Sequence, residues 1–251
     1  MSVLILSENL WRDGTILAAT TEAPQFPPEY TQDDLLQLWW RSTAIAAAQT
    51  LDCDLGDALE YDFIGILGHN LAPAATIEVT GADDDAFTTN PVVDTLTYVG
   101  NNIWELLPVA RTKRYVRLSL TDIDNPSGYL QVATIVLGKS NALNRGPSVP
   151  DQRGPQNDTE TESAPSGSRF VVQEWSSIEG QVLPFVGLDD VSELIVEALV
   201  RECGMHKGFA LCLDSTVPNA NSYWLYLVSQ EKPSRDHMNY WIWTLEAVGV
   251  L

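Results

Sequence analysis

Basic residues are scarce. The 251-residue chain carries 14 Lys and Arg against 34 Asp and Glu, a formal net charge of −20. No domain-length stretch is basic, which disfavours direct binding to nucleic acid or to an anionic membrane. Cysteine is scarcer: Cys53, Cys203 and Cys212 only. Their odd number and the lack of CxxC or metal-ligand spacing argue against a disulfide framework or a thiolate metal centre. Cys203 and Cys212 flank a predicted turn and could meet, but three buried thiols are the expected state, which fits synthesis in a reducing compartment. No apolar run approaches the ~20 residues of a membrane helix. The opening MSVLILSENLW has no basic leader, so it reads as a first strand rather than a signal peptide. HExxH, GxSxG, P-loop and GxGxxG patterns are missing. His69, His206 and His237 fall in separate turn-like stretches, and no pair of carboxylates stands out as a glycosidase pair. Neither an enzyme nor a cofactor is expected.

What is present is enough apolar residue, 45% of the chain, to build a core. Residues 61–80, YDFIGILGHNLAPAATIEVT, form the centre: an apolar strand buried on both faces, a Gly-His-Asn-Leu turn, and a second strand. The His69 side chain is expected to hydrogen-bond turn backbone. Ahead of this lie a strand at 2–6, a Pro-rich lead-in, a helical turn over 31–38, and a strand over 45–53 closed by Asp54-Leu55-Gly56-Asp57. Of the adjacent Trp39 and Trp40, one belongs in the core and the other at a surface or contact.

After the centre, 81–90 is an acidic loop. Asp83, Asp84 and Asp85 are metal candidates because hard cations want clustered oxygens. A solvated loop is the plainer reading, since the Gly and terminal Glu of a helix-loop-helix calcium loop are missing. A hairpin-type turn at Gly100-Asn101-Asn102 separates strands at 94–99 and 103–107, and Trp104 is a candidate rim aromatic. Residues 113–121 alternate strictly, with Val116, Leu118 and Leu120 on one face. Arg111, Lys113, Arg114 and Arg117 make the one basic cluster. It either pairs with nearby carboxylates or meets an anionic sugar or a neighbouring subunit's acidic surface. A turn over 122–128 and a strand over 129–137 complete this part.

Residues 141–167 contain four Pro and three Gly with few large apolar groups, the composition of an extended, mobile linker. Residues 168–251 read as a separate unit: a strand at 170–175, a helix capped by Asp189-Asp190 and stopped by Gly204, and strands at 209–213, 223–229 and 238–248. Val191, Leu194, Ile195, Ala198 and Leu199 form the stripe expected to face the sheet. Both faces of the last two strands are apolar or aromatic, so Trp224, Tyr226, Tyr240 and Ile242 are candidates for an assembly interface.

Trp40-Arg41-Ser42, Ile64-Gly65-Ile66-Leu67-Gly68-His69-Asn70-Leu71, Tyr115-Val116-Arg117-Leu118, and Asp124-Asn125-Pro126 with Gly128-Tyr129-Leu130 occur in an order that resembles a discoidin-like (galactose-binding-like) β-sandwich. The LGHNL and NPxGY pattern is similar to such domains in tail-tip or baseplate proteins of tailed bacteriophages. The last part, ending in Trp243-Thr244-Leu245-Glu246, resembles C-terminal portions of those proteins.

The resemblance implies a mainly β protein: a jelly-roll-like antiparallel β-sandwich (1–140), a linker (141–167) and a small α+β domain (168–251). It implies a non-enzymatic virion component made in the host cytoplasm, with other tail proteins and further copies of itself as partners. The linker would then raise the effective concentration of a second contact. The alternative is a carbohydrate-binding module that attaches the particle to a host glycan. Sugar-binding members place aromatic and polar residues on loops at one end of the sandwich, where Trp104 and the 81–90 loop are the candidates.

Overall fold

The computed structural model describes residues 2–34, 36–100, 102–147, 154–156, 159–163, 169–174, 178–204, 206–230, 232–235 and 240–249. The chain first forms β1 (Val3–Leu6), α1 (Leu10–Asp13), β2 (Thr15–Ala19), a 3-10 turn (Pro28–Gln32), β3 (Trp40–Arg41), β4 (Gln49–Leu67) and β5 (Thr76–Ala82). Next come β6 (Val92–Leu96), β7 (Asn102–Thr121), β8 (Gln131–Val132), β9 (Thr134–Gly138) and β10 (Asn141–Leu143). Then follow β11 (Gly154–Gln156), β12 (Thr159–Ser163), β13 (Arg169–Glu174), β14 (Ile178–Leu188), α2 (Asp190–Cys203) and β15 (Gly208–Cys212). Last are α3 (Pro218–Asn221), β16 (Ser222–Gln230), β17 (Ser234–Arg235) and β18 (Trp241–Gly249). The protein is mainly β and its sheets are antiparallel. It divides into two compact units, Met1–Ala142 with Phe209–Ser222, and Leu143–Gly208 with Tyr223–Leu251. The segment Phe209–Ser222, grouped by sequence with the C-terminal residues, therefore belongs by its contacts with the first unit.

In the first unit β4 and β7 pair along their whole length, from Gln49↔Leu120 to Leu67↔Asn102. The turn expected at 54–57 is absorbed as a bulge. The Asp54 carboxylate accepts from Gly56 N at 2.8 Å, Gly56 takes a φ of +84°, and the strand resumes at Leu59. Before the bulge β4 pairs with β2; beyond it β9 adds at Phe63↔Gly138 to Leu67↔Thr134. β5 joins the second half of β7, and β6 pairs with β5 rather than with the start of β7. The two halves face each other across an apolar interior, with Ile64, Ile66, Ile135 and Leu137 opposing Val79, Val116 and Leu118. The alternation in 113–121 is as expected: Val116, Leu118 and Leu120 are buried, the residues between them half-buried. Trp40 is fully buried in this core and Trp39 half-buried. At Gly65 any Cβ would overlap the Trp104 ring. β15 also belongs here, paired with β1 from Leu4↔Cys212 to Leu6↔Ala210.

In the second unit β18 is central. It pairs with β14 from Glu179↔Gly249 to Leu188↔Trp241, and with β16 and β17. Trp243, Leu245 and Ala247 alternate inward. The sequence reading missed β14 altogether, because its Gly180, Pro184 and Gly187 look like loop. Within 141–167, read as linker, β11 pairs with β14 and β12 with β13; the Thr-Glu-Thr-Glu run of β12 supplies β-branched residues at alternate positions. Helix α2 begins where expected, with Ser192 N donating to the Asp189 carboxylate at 2.8 Å, and it ends at Gly204 with φ +53°. Its buried face matches the predicted one only in part: Leu199 is buried and Ile195 half-buried. Val196, Leu199 and Cys203 turn inward, whereas Val191 and Leu194 remain 68% and 60% exposed and Ala198 is exposed too. Two apolar stripes share this helix, and the sheet takes the one that ends in a cysteine. As in the first unit, a glycine makes room for an indole: a Cβ on Gly208 would overlap Trp224.

Candidate functional site

The two quoted motifs build a scaffold rather than a site. Asn70 donates to Tyr129 O at 2.9 Å and its Oδ1 accepts from Gln131 N at 2.8 Å. Asn125 donates to Asn70 O and to the Asp122 carboxylate, both at 2.8 Å, and that carboxylate also accepts from Ala72 N. Gly128, at φ +72°, turns the chain so that Tyr129 leaves this network at a fixed angle. His69 serves the same turn: its Nδ1 accepts from Leu71 N at 3.2 Å. Burial pulls its pKa down to about 4, its Nε2 has no partner among the described residues, and the Tyr98 ring lies edge-on at 5.8 Å.

The scaffold presents an aromatic and guanidinium cluster. Ala23 N donates to Arg41 O at 2.9 Å and Arg41 N to Phe26 O at 3.2 Å, which ties the Pro-rich lead-in to β3. On the other side Arg41 pairs with Gln131, and Ser42 exchanges hydrogen bonds with Leu130 at 2.9 Å. Arg41 thus lies between two rings, its Cζ 4.2 Å from the Phe26 centroid and 4.1 Å from that of Tyr129. Trp39 stacks on Phe26 at 6.3 Å with an interplanar angle of 8°. All four side chains are half-buried. The guanidinium reaches Gln131 Oε1 at 3.4 Å only, and both Arg41 Nε and Trp39 Nε1 are shielded from water without a partner among the described residues. Half-buried aromatic faces therefore sit over N–H donors that are shielded just beneath them and have no partner among the described residues. A bound molecule with acceptor oxygens beside an apolar face would satisfy both once the rings part enough to admit it.

The sequence-based candidates lie elsewhere. Trp104, expected at the rim, is 2% exposed and tilted against Phe63 at 5.7 Å, so no ring face is open to a sugar; its backbone N–H donates to Asn219 Oδ1. Asp83 accepts from Lys113 at 2.9 Å and Asn90 at 2.8 Å, and these bonds lower its pKa. Asp84 accepts from the Thr88 hydroxyl and the N–H groups of Thr88 and Thr89, which lowers its pKa likewise. Asp85 is exposed beside them. The loop is a self-bonded turn that holds Phe87 and Asn90 at positive φ, and among the described residues no cluster of three or more His, Cys, Asp or Glu is placed to hold a metal.

The basic cluster is paired with carboxylates. Arg111 binds Asp94, Arg114 binds Asp54 and Arg117 binds Asp52, each through two hydrogen bonds, and Lys113 holds Asp83. Of the assembly candidates, Trp224 is buried, Tyr226 and Ile242 half-buried, and Tyr240 exposed. All three cysteines are buried and none is in a disulfide, and burial pushes the Cys53 thiol up to about 12. His237 lies outside the described residues. Arg41 and Tyr129 stood inside the Trp-Arg-Ser and Gly-Tyr-Leu triplets that carried the resemblance; Phe26 had no sequence signal beyond an aromatic among prolines.

No family model matches the sequence, and no curated protein does. Solved structures do. A Ruminococcus gnavus GH29 fucosidase in complex with fucose is 15% identical with a TM-score of 0.45, over 53% of this chain and 27% of the fucosidase, so the chain spans about a quarter of that enzyme. Chitosan-binding module 1 of a Paenibacillus chitosanase/glucanase is 20% identical (TM-score 0.43), over 52% of this chain and 98% of the module. The family 32 carbohydrate-binding module of Clostridium perfringens NanJ, in complex with galactose, is 16% identical (TM-score 0.43), over 54% of this chain and 98% of that module.

Proposed function

We propose that the first unit binds a carbohydrate at the Arg41 cluster and that the protein acts by binding, without catalysis. One observation carries this reading: a guanidinium held between Phe26 and Tyr129, beside a stacked indole, with N–H donors that lack partners among the described residues. A pyranose matches this chemistry. Its C–H face lies on an aromatic ring and its hydroxyls accept from the donors. An unsatisfied buried donor costs about 1–3 kcal/mol, which a ligand hydroxyl would recover. A neutral sugar suits the strongly acidic chain better than a polyanion. The test is a glycan array followed by calorimetry on the full chain. Binding of a neutral glycan with a Kd of roughly millimolar or tighter, weakened about tenfold by Tyr129→Ala, is the expected result. Failure of every glycan on the array, or wild-type affinity in Tyr129→Ala, overturns the reading.

A second reading is assembly within a phage tail tip, with other tail proteins or further copies as partners. The outward stripe Val191, Leu194 and Ala198 on α2 favours it. Leu194→Glu would then abolish co-assembly while leaving glycan binding intact; intact assembly in that variant removes this reading.

A further inference from the structure

The second unit contains a cleft of about 370 Å³ between α2, the end of β16 and β18, in the size range of small-molecule sites. Its walls differ in chemistry. Val200, Pro233 and Trp243 supply apolar surface, and Glu197, Arg201 and Lys232 supply charge. Glu197 and Arg201 neutralise each other in an i,i+4 pair at 2.6 Å. Lys232 is exposed and leaves the described lining residues with a net positive charge in a chain of net −20. Trp243 is only 5% exposed, and its indole Nε1 has no hydrogen-bond partner among the described residues. This wall residue therefore carries a buried donor with no acceptor among the described residues.

We propose that the cleft binds a small organic carboxylate with an apolar body. The body lies on Val200, Pro233 and the Trp243 ring, the carboxylate faces Lys232, and a small rotation of the indole, whose Nε1 is otherwise shielded, brings its N–H to one acceptor oxygen. Each wall element then has one function, and the orphan donor is satisfied only in the complex. The site is independent of the Arg41 cluster, so either can fail without the other.

Phenylacetate and its neutral isostere phenylacetamide are suitable probes, followed by ligand-observed NMR and calorimetry on the full chain. Phenylacetate should bind, phenylacetamide about tenfold more weakly, because only the carboxylate draws on the Lys232 charge. Lys232→Glu lies at an exposed position and leaves the core untouched, and it should abolish binding. Trp243→Phe keeps a ring and removes the N–H, and it should weaken binding about fivefold. No phenylacetate binding at about 10 mM overturns the proposal, as do equal affinity for acid and amide or undiminished binding to Lys232→Glu.

Discussion

Two arginine-bearing regions of the first unit solve opposite problems. Along β7, Arg111, Arg114 and Arg117 each meet a carboxylate through two hydrogen bonds, and Lys113 closes the acidic loop. At β3, Arg41 meets rings instead, with a single long bond to Gln131. The first arrangement satisfies donors and acceptors alike and has little left to offer a ligand. The second holds its guanidinium in place by stacking and leaves N–H groups without partners among the described residues. Charge density in the sequence pointed to the first region; unsatisfied hydrogen-bonding capacity points to the second.

The largest effect should come from breaking a satisfied pair. Arg117→Ala strands the Asp52 carboxylate, largely buried opposite it on β4, and removes the guanidinium 4.1 Å from the Phe87 ring. A loss of about 2–3 kcal/mol in urea unfolding is expected, with glycan binding unchanged. Next comes His69, with one nitrogen engaged and one not. Its folded pKa of about 4 lies below the usual ~6.5, so the unfolded chain binds the extra proton between these values. Its contribution to stability is therefore intact above about pH 6.5 and falls as pH drops toward 4, by about 2 kcal/mol at pH 5. His69→Asn, which keeps an acceptor for Leu71 N, should flatten that part of the stability–pH curve.

Arg41→Ala should sharpen the contrast. Glycan affinity falls about tenfold, whereas stability falls by about 1 kcal/mol or less, because a stacked cation at a partly exposed site contributes little to folding. A stability loss as large as that of Arg117→Ala would make Arg41 a structural residue. The smallest effect belongs to Asp84→Ala, which frees the Thr88 and Thr89 donors and loosens the turn by about 1 kcal/mol. Added calcium should leave the wild-type melting temperature where it is.

Much of the β architecture was legible because period-2 alternation survives in 113–121 and in β18, and because the run around Phe63–Leu67 is apolar on both faces. Bulges were not legible. Asp54-Leu55-Gly56-Asp57 has turn chemistry, and only pairing with β7 turns it into an interruption within one strand. The helix stripe was right at Leu199 but rotated elsewhere: Val191, Leu194 and Ala198 face out, while Val196 and Cys203 join Leu199 in the buried face. The site was half legible. Arg41 and Tyr129 lay in recognisable triplets, but their meeting depends on Phe26, brought in from the lead-in by two backbone hydrogen bonds. Trp104 was misplaced because a tryptophan near a glycine turn looks like a rim residue; Gly65, which makes room for it, comes 39 positions earlier in the chain.

The packing of Trp104 over Gly65 and of Trp224 over Gly208 orders the routes by which this protein can drift in sequence. At either locus the aromatic has to shrink before the glycine can acquire a side chain, since the reverse step drives a methyl group into the ring. Relatives should therefore show the two positions changing as couples: large with bare, or small with branched, and almost never large with large.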